Sequence, residues 1–149
     1  EIDLIELIDY VIKTYEKIIS KNNISIKFNK TDNLKIIGDR DKLIEIFTNL
    51  IDNSVKYSDK NKVITITAKK DGEFNIVSVA DQGIGIPKES IHRITERFFT
   101  VDPSKSRSVG GTGLGLAIVK HLVSQHRAEM DINSVVNEGT KIDIKFNSL

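Results

Sequence analysis

Gly110-Gly111-Thr112-Gly113-Leu114-Gly115-Leu116-Ala117-Ile118-Val119-Lys120 brings four glycines to the start of an apolar helical pattern with no proline to stop it. Glycine lets backbone approach an anion closely, and the unpaired N–H groups of a new helix carry partial positive charge toward it. The stretch therefore suits a phosphate cradle, although a glycine-rich turn before a packing helix fits the same residues. Two familiar nucleotide loops are excluded. The preceding Thr100-Val101-Asp102-Pro103-Ser104-Lys105-Ser106-Arg107-Ser108 is polar and contains proline, unlike the buried strand that precedes a dinucleotide loop. No Gly-Lys-Ser or Gly-Lys-Thr follows. A site built on these glycines needs partners from elsewhere in the chain.

Asp41 to Tyr57 supplies candidates. At about 100° per residue, Leu43, Ile44, Phe47, Leu50, Ile51, Ser54 and Val55 fall on one arc of a helix. Glu45, Asn49, Asn53 and Lys56 fall on the other. A polar arc is usually a solvated face, but two asparagines one turn apart are poor helix formers where a plain surface favours better ones. Asparagine carbonyl oxygens suit a hard cation such as Mg²⁺, which takes a few protein oxygens plus water and phosphate. Lys56 could meet a phosphate, and Glu45 could accept a proton or orient water. Asp52 lies near the same stripe and is left out of the candidate set. A third segment, Asn75 to Ala80, is a β-rich run that ends in Asp81-Gln82-Gly83-Ile84-Gly85-Ile86-Pro87. Its glycines allow close approach to a flat ligand, and an ionised Asp81 could accept a hydrogen bond from the exocyclic amine of adenine. A simple β-turn reads equally well from this segment alone.

In this order the segments resemble the catalytic and ATP-binding domain of sensor histidine kinases, within the superfamily shared with gyrase, mismatch-repair and heat-shock chaperone ATPases. The resemblance runs from about Leu4 to Phe146. Asn49 to Ser58 is similar to the asparagine box, Asp81 to Pro87 to the first glycine box, Glu96-Arg97-Phe98-Phe99 to the phenylalanine box, and Gly111 to Leu116 to the second glycine box. The context of Ser106-Arg107 and Gly110-Gly111-Thr112 resembles the orthodox, phosphate-sensor-like class. The resemblance implies ATP and Mg²⁺ as ligands. Asn49 would coordinate the metal, Asn53 would support metal and phosphates, and Lys56 would contact phosphate. Tyr57 would pack beside adenine and Asp81 would read its amino group, with Ile86 in the same loop. Glu45 corresponds to a position proposed to assist phosphoryl transfer. Gly83 and Gly85 would leave room for the base. Gly111, Thr112, Gly113, Leu114, Gly115 and Leu116 would let a lid, residues 87–113, close over the phosphates. Thr140, after Glu138-Gly139, resembles a third glycine box near adenine. Arg97, Lys105 and Arg107 stand against Asp102 in the lid region; Arg107 is the preferred phosphate contact, or else an ordinary solvated arginine. Phe98 and Phe99 are either core residues or a hinge.

The implied activity is that of a protein histidine kinase: the γ-phosphate passes to a histidine on a dimerisation domain, and from there to a response regulator. His92, His121 and His126 lack the acidic residue and downstream proline of a phosphoacceptor motif, so that histidine is expected upstream of Glu1. His121 and His126 sit where structural histidines are common. The implied setting is the cytoplasmic part of a membrane-anchored bacterial sensor, monomeric as an isolated domain. A gyrase-like dimer-gating ATPase would need an added transducer domain, and a silent nucleotide-binding scaffold would bind without trans-phosphorylation.

Composition fits a single domain over residues 1–149. A chain of this length buries about two thirds of its unfolded surface, and 39% hydrophobic content is ordinary. A net charge of +1 argues against a general nucleic-acid binder. No apolar run reaches the ~20 residues that span a bilayer, and the absence of cysteine excludes disulfides and cysteine ligands. The periodicity predicts one helix over Leu4 to Lys21, strands at Ile24 to Asn29 and Leu34 to Ile37, and a helix after Asp39 that Asp41 caps. Hairpins are expected at Val63 to Lys69 with Phe74 to Ala80, and at Met130 to Ser134 with Thr140 to Phe146, with a helix from Leu114 to Gln125 between them. The expected fold is α+β: a two-layer sandwich, its mixed, mostly antiparallel sheet covered on one face by helices, of the Bergerat ATP-binding type. After His126, Arg127-Ala128 stands where many relatives carry two glycines, which implies a different helix cap. Asn137 stands where glycine is common, and asparagine tolerates the left-handed conformation.

Overall fold

The computed structural model describes residues 1–31, 33–58, 62–97, 99 and 115–149. The chain opens with strand β1 (Ile2–Asp3), helix α1 (Leu4–Thr14), helix α2 (Glu16–Lys21), strand β2 (Ser25–Lys30), strand β3 (Lys35–Ile36) and helix α3 (Arg40–Tyr57). Strands β4 (Val63–Asp71) and β5 (Phe74–Ala80), a 3₁₀ turn (Lys88–Arg93), helix α4 (Gly115–Gln125) and strands β6 (Glu129–Val135) and β7 (Gly139–Asn147) follow. The main sheet has the order β2-β4-β5-β7-β6. Only β2 and β4 run parallel; the other neighbours are antiparallel. β1 and β3 form a separate antiparallel pair.

Alternation decides which face is covered. Ile64, Ile66 and Ala68 on β4 are buried, as are Val77 and Val79 on β5 and Ile142, Ile144 and Phe146 on β7. They share one hydrophobic cluster with Leu4, Leu7, Ile8 and Val11 of α1, the apolar stripe of α3, and Leu116, Val119, Leu122 and Val123 of α4. The alternate positions carry Thr65, Thr67, Lys141 and Lys145, which makes the second face polar. The expected two-layer sandwich is therefore present. Gly72 turns the β4–β5 hairpin with φ +61°, a left-handed value that glycine adopts without a Cβ clash.

Two local expectations are corrected. The helix expected over Leu4 to Lys21 breaks at Tyr15, whose φ of −101° and ψ of 0° end α1 before α2 starts. Apolar spacing continues through the break, so periodicity could not show it. The cap of α3 is Asp39, which accepts from the Lys42 amide at 3.2 Å; Asp41 lies inside the first turn. Asp39 holds the extended dihedrals that a capping side chain needs. The end of α4 is closed without glycine: Arg127 takes φ +53° and Ala128 donates to the Val123 carbonyl at 3.1 Å. Asn137 takes φ +66° in the β6–β7 connection.

Candidate functional site

α3 brings the first group of candidates together. Leu43, Ile46, Phe47, Leu50, Ile51 and Ser54 are buried, which leaves Glu45 exposed and Asn49, Asn53 and Lys56 partly exposed on the other side. Asn49 Nδ2 donates to the Glu45 carbonyl at 2.8 Å. That bond uses the amide nitrogen and fixes the side chain, so Oδ1 is the atom turned outward as an acceptor. A Cβ placed on Gly115 would lie 3.5 Å from this Oδ1. The asparagine oxygen thus faces the first residue of α4, where the glycine-rich segment enters its helix. Lys56 pairs with Asp52 at 2.9 Å, and Asp52 accepts a second bond from the Tyr15 hydroxyl at 3.2 Å. Burial, and then the charge and hydrogen bonding of Asp52, push the Tyr15 hydroxyl up to about 12.

Asp81 organises the second group from the end of β5. Its Oδ1 accepts the Gly83 amide at 2.9 Å and the Thr140 amide at 3.1 Å, while its own amide donates to the Thr140 carbonyl at 2.9 Å. Burial raises the carboxyl above the usual aspartate value; the Gly83 and Thr140 amides and the Ser54 hydroxyl beside it pull in the opposite direction. Both backbone donors converge on Oδ1, and among the described residues no backbone amide is bonded to Oδ2.

The loop after Asp81 is clamped by backbone. A Cβ on Gly83 would stand 2.3 Å from the Tyr57 carbonyl oxygen, and one on Gly139 2.1 Å from that of Asp81. Gly139 also has φ +133°, a conformation that side chains with a Cβ resist. Gly85, with φ +73°, would meet the Val135 carbonyl oxygen at 2.2 Å. The protein's own chain thus imposes glycine at all three positions. Ser134 ties the loop to the β6–β7 hairpin. Its Oγ accepts the Ile86 amide at 2.7 Å, donates to the Gly139 carbonyl at 2.9 Å and lies 2.8 Å from Thr140 Oγ1. Ile86 is buried.

The structure therefore groups Tyr57, Asp81, Gly83, Gly85, Ile86 and Thr140 around one loop, and sets Asn49 against Gly115, with Glu45 one turn before Asn49 on α3. Asn53 and Lys56 lie between these groups on α3. Leu116 is buried in the hydrophobic cluster. Arg107, Gly111, Thr112, Gly113, Leu114 and Phe98 lie outside the described residues, as does most of the expected lid. His126 has a structural role: its Nδ1 meets the Leu122 carbonyl at 2.8 Å and its Nε2 accepts the Asp39 amide at 3.1 Å, tying the end of α4 to the start of α3. His121 lies 3.2 Å from the Gln125 amide nitrogen, and His92 is exposed on the 3₁₀ turn. A cavity of about 610 Å³ opens beside His126, Gly38 and Phe146, at the end of α3 remote from Lys56.

Sequence reasoning missed Ser54, Ser134, Tyr15 and Asp52 as parts of this arrangement. Ser54 did carry a signal, because a hydroxyl on an apolar helical arc needs a polar partner once buried. Ser134 carried none; its role comes from the register of β6 against β7.

Residues 38–148 match the family described as histidine kinase-, DNA gyrase B- and HSP90-like ATPase. The chain belongs to that family. Its relatives are sensor histidine kinases. The Sensor-like histidine kinase SenX3 of Mycobacterium tuberculosis is 30% identical over 149 residues, all of this chain and 36% of the relative. The Phosphate regulon sensor protein PhoR of Pseudomonas aeruginosa is 41% identical over 113 residues, 76% of this chain and 26% of the relative. The solved structure of histidine kinase ThkA in complex with the response regulator protein TrrA superposes with a TM-score of 0.83 at 25% identity, covering 99% of this chain and 41% of that one. The chain thus spans about a third of the length of the curated relatives it matches. Among the described residues, no helix is long and apolar enough to cross a membrane.

Proposed function

We propose that this chain binds ATP with Mg²⁺ and presents the γ-phosphate to a histidine on a dimerisation domain of the same protein, from which a response regulator takes it. One observation carries the nucleotide site: a partly buried carboxyl at the end of β5 accepts two backbone amides through Oδ1, and its second oxygen would accept from a ligand. That is an acceptor set for a neutral N–H donor such as the adenine amine. Tyr57, at the end of α3, sits beside this loop through its carbonyl, which accepts the Ile84 amide at 3.3 Å, and its ring would pack against the base.

The donor set of α3 fits Mg²⁺. Asn49 offers a neutral oxygen oriented by its own amide bond, and the remaining positions would be filled by phosphate and water, as this hard ion prefers. Bound there, the metal would neutralise phosphate charge. Asn53 and Lys56 would hold the phosphates, the glycine segment from Gly111 to Gly115 with Thr112, Leu114 and Leu116 would close over them, and Arg107 would reach them from the lid over 87–113. Glu45, exposed on the same face, would orient the incoming imidazole. Catalysis of this kind rests on positioning and charge neutralisation. An acceptor histidine elsewhere is supported by His126, which has both ring nitrogens engaged. The isolated domain would be a monomer, and in the whole protein it would lie on the cytoplasmic side of a membrane-anchored sensor.

Calorimetric titration with ADP and a non-hydrolysable ATP analogue, with and without Mg²⁺, tests the binding half. Mg²⁺-sensitive binding supports the reading, and no binding by the folded chain refutes it. Transfer of radiolabelled phosphate from ATP to an added dimerisation helix tests the kinase half; binding without transfer would leave a nucleotide-binding scaffold.

A further inference from the structure

The break between α1 and α2 has a consequence at the phosphate end of α3. Tyr15 occupies the break, its amide donating to the Ile12 carbonyl at 3.0 Å, and its ring packs against the hydrophobic cluster. From there its hydroxyl reaches Asp52 Oδ1 at 3.2 Å, while Lys56 Nζ lies 2.9 Å from Oδ2 of the same carboxylate. The two oxygens serve two different partners, so Asp52 bridges a residue outside α3 to the cation on the asparagine face. An exposed i,i+4 ion pair alone leaves both side chains much of their freedom. A carboxylate pinned on its far oxygen does not.

We infer that Tyr15 is a positioning residue for nucleotide phosphates: through Asp52 it holds the Lys56 ammonium on the face of α3 that carries Asn49 and Asn53. A lysine ordered before the ligand arrives loses less rotamer freedom on binding, which raises affinity without a new contact. The ammonium has three protons, and one given to Asp52 leaves two for phosphate oxygens. The high pKa of Tyr15, about 12, keeps its hydroxyl a donor at neutral pH. The inference rests on the reading of Lys56 as a phosphate contact.

The experiment is a double-mutant cycle on this chain. Affinities for a non-hydrolysable ATP analogue and for adenosine are measured by calorimetry for wild type, Tyr15→Phe, Lys56→Met and the double variant. Tyr15→Phe keeps the ring and its packing. It is expected to weaken triphosphate binding about fivefold, less than the tenfold or more of a direct hydrogen bond to a charged group because the effect reaches the ligand only through the ordering of Lys56, and to leave adenosine binding unchanged. In the Lys56→Met background the same change should have no effect. An unchanged triphosphate affinity in Tyr15→Phe, with Lys56→Met still weakening it, overturns the inference and leaves the nucleotide reading intact. An equal loss for adenosine, or a loss that persists without Lys56, also overturns it by showing a merely structural role. If Lys56→Met itself changes nothing, the phosphate role of Lys56 fails and the inference falls with it.

Discussion

Replacing Asp81 by asparagine changes one atom and isolates the proposed adenine contact. Oδ1 would still accept the Gly83 and Thr140 amides, at 2.9 and 3.1 Å in the wild type, because those bonds require only a carbonyl oxygen. The other oxygen becomes an NH₂ group, so an acceptor aimed at the adenine amine is replaced by a donor facing a donor. A hydrogen bond to a charged partner contributes about 1.5–3 kcal/mol, and its loss should weaken adenine-nucleotide binding about 10- to 150-fold. Stability should change little. The variant keeps the clamp on the loop and no longer buries a carboxylate, whose charged form burial disfavours. The assay is titration calorimetry with ADP, with the urea midpoint measured on the same samples. An affinity within about threefold of wild type in a variant of unchanged midpoint would refute the role of Asp81, since even a weak charged hydrogen bond exceeds that.

Four further outcomes are expected. Asn49→Ala should abolish the Mg²⁺ dependence of ATP-analogue binding while leaving adenosine binding in place, because the variant removes the oriented oxygen and nothing at the loop; titration with and without Mg²⁺ checks this. Gly139→Ala would set a Cβ 2.1 Å from the Asp81 carbonyl oxygen at φ +133°. It should destabilise the fold by about 1–3 kcal/mol or more through overpacking and strain, read as a lower urea midpoint together with weaker nucleotide binding. Phe47→Ala should cost about 3–5 kcal/mol, because this ring is 1% exposed and packs 6.3 Å from that of Phe146; urea unfolding measures the loss. The pH response of Asp81 should run in opposite directions for fold and ligand. Its folded-state pKa is raised above the ordinary value of 3.8, so its contribution to stability is fully present below 3.8 and is lost as pH rises through the raised value. Nucleotide affinity should instead fall as pH drops through that value, because protonation removes the charged acceptor. A Kd profile that stays flat in wild type across this range would contradict the assignment.

What the sequence specifies locally and what the packed fold decides differ in physical origin. Periodicity alone located α3 with its apolar arc and both hairpins, because side-chain direction along a helix or strand follows from backbone geometry and needs no partner. Local chemistry also sufficed for the left-handed Asn137, which depends on the residue's own dihedral preferences. The types and order of Asn49, Asn53, Asp81 and the glycines point to a nucleotide from the sequence alone. Tertiary structure decided which atoms meet. The break at Tyr15 lies inside unbroken apolar spacing, and the hydroxyl's reach to Asp52 spans 37 positions in sequence. Gly83 and Gly85 read as space for a ligand, and the packed chain adds carbonyl oxygens 2.2–2.3 Å from any Cβ placed there. Ser134 and His126 found their partners through strand register and the packing of α4 on α3. Such contacts depend on where the whole sheet and its helices come to rest, and no local preference of the residues encodes that.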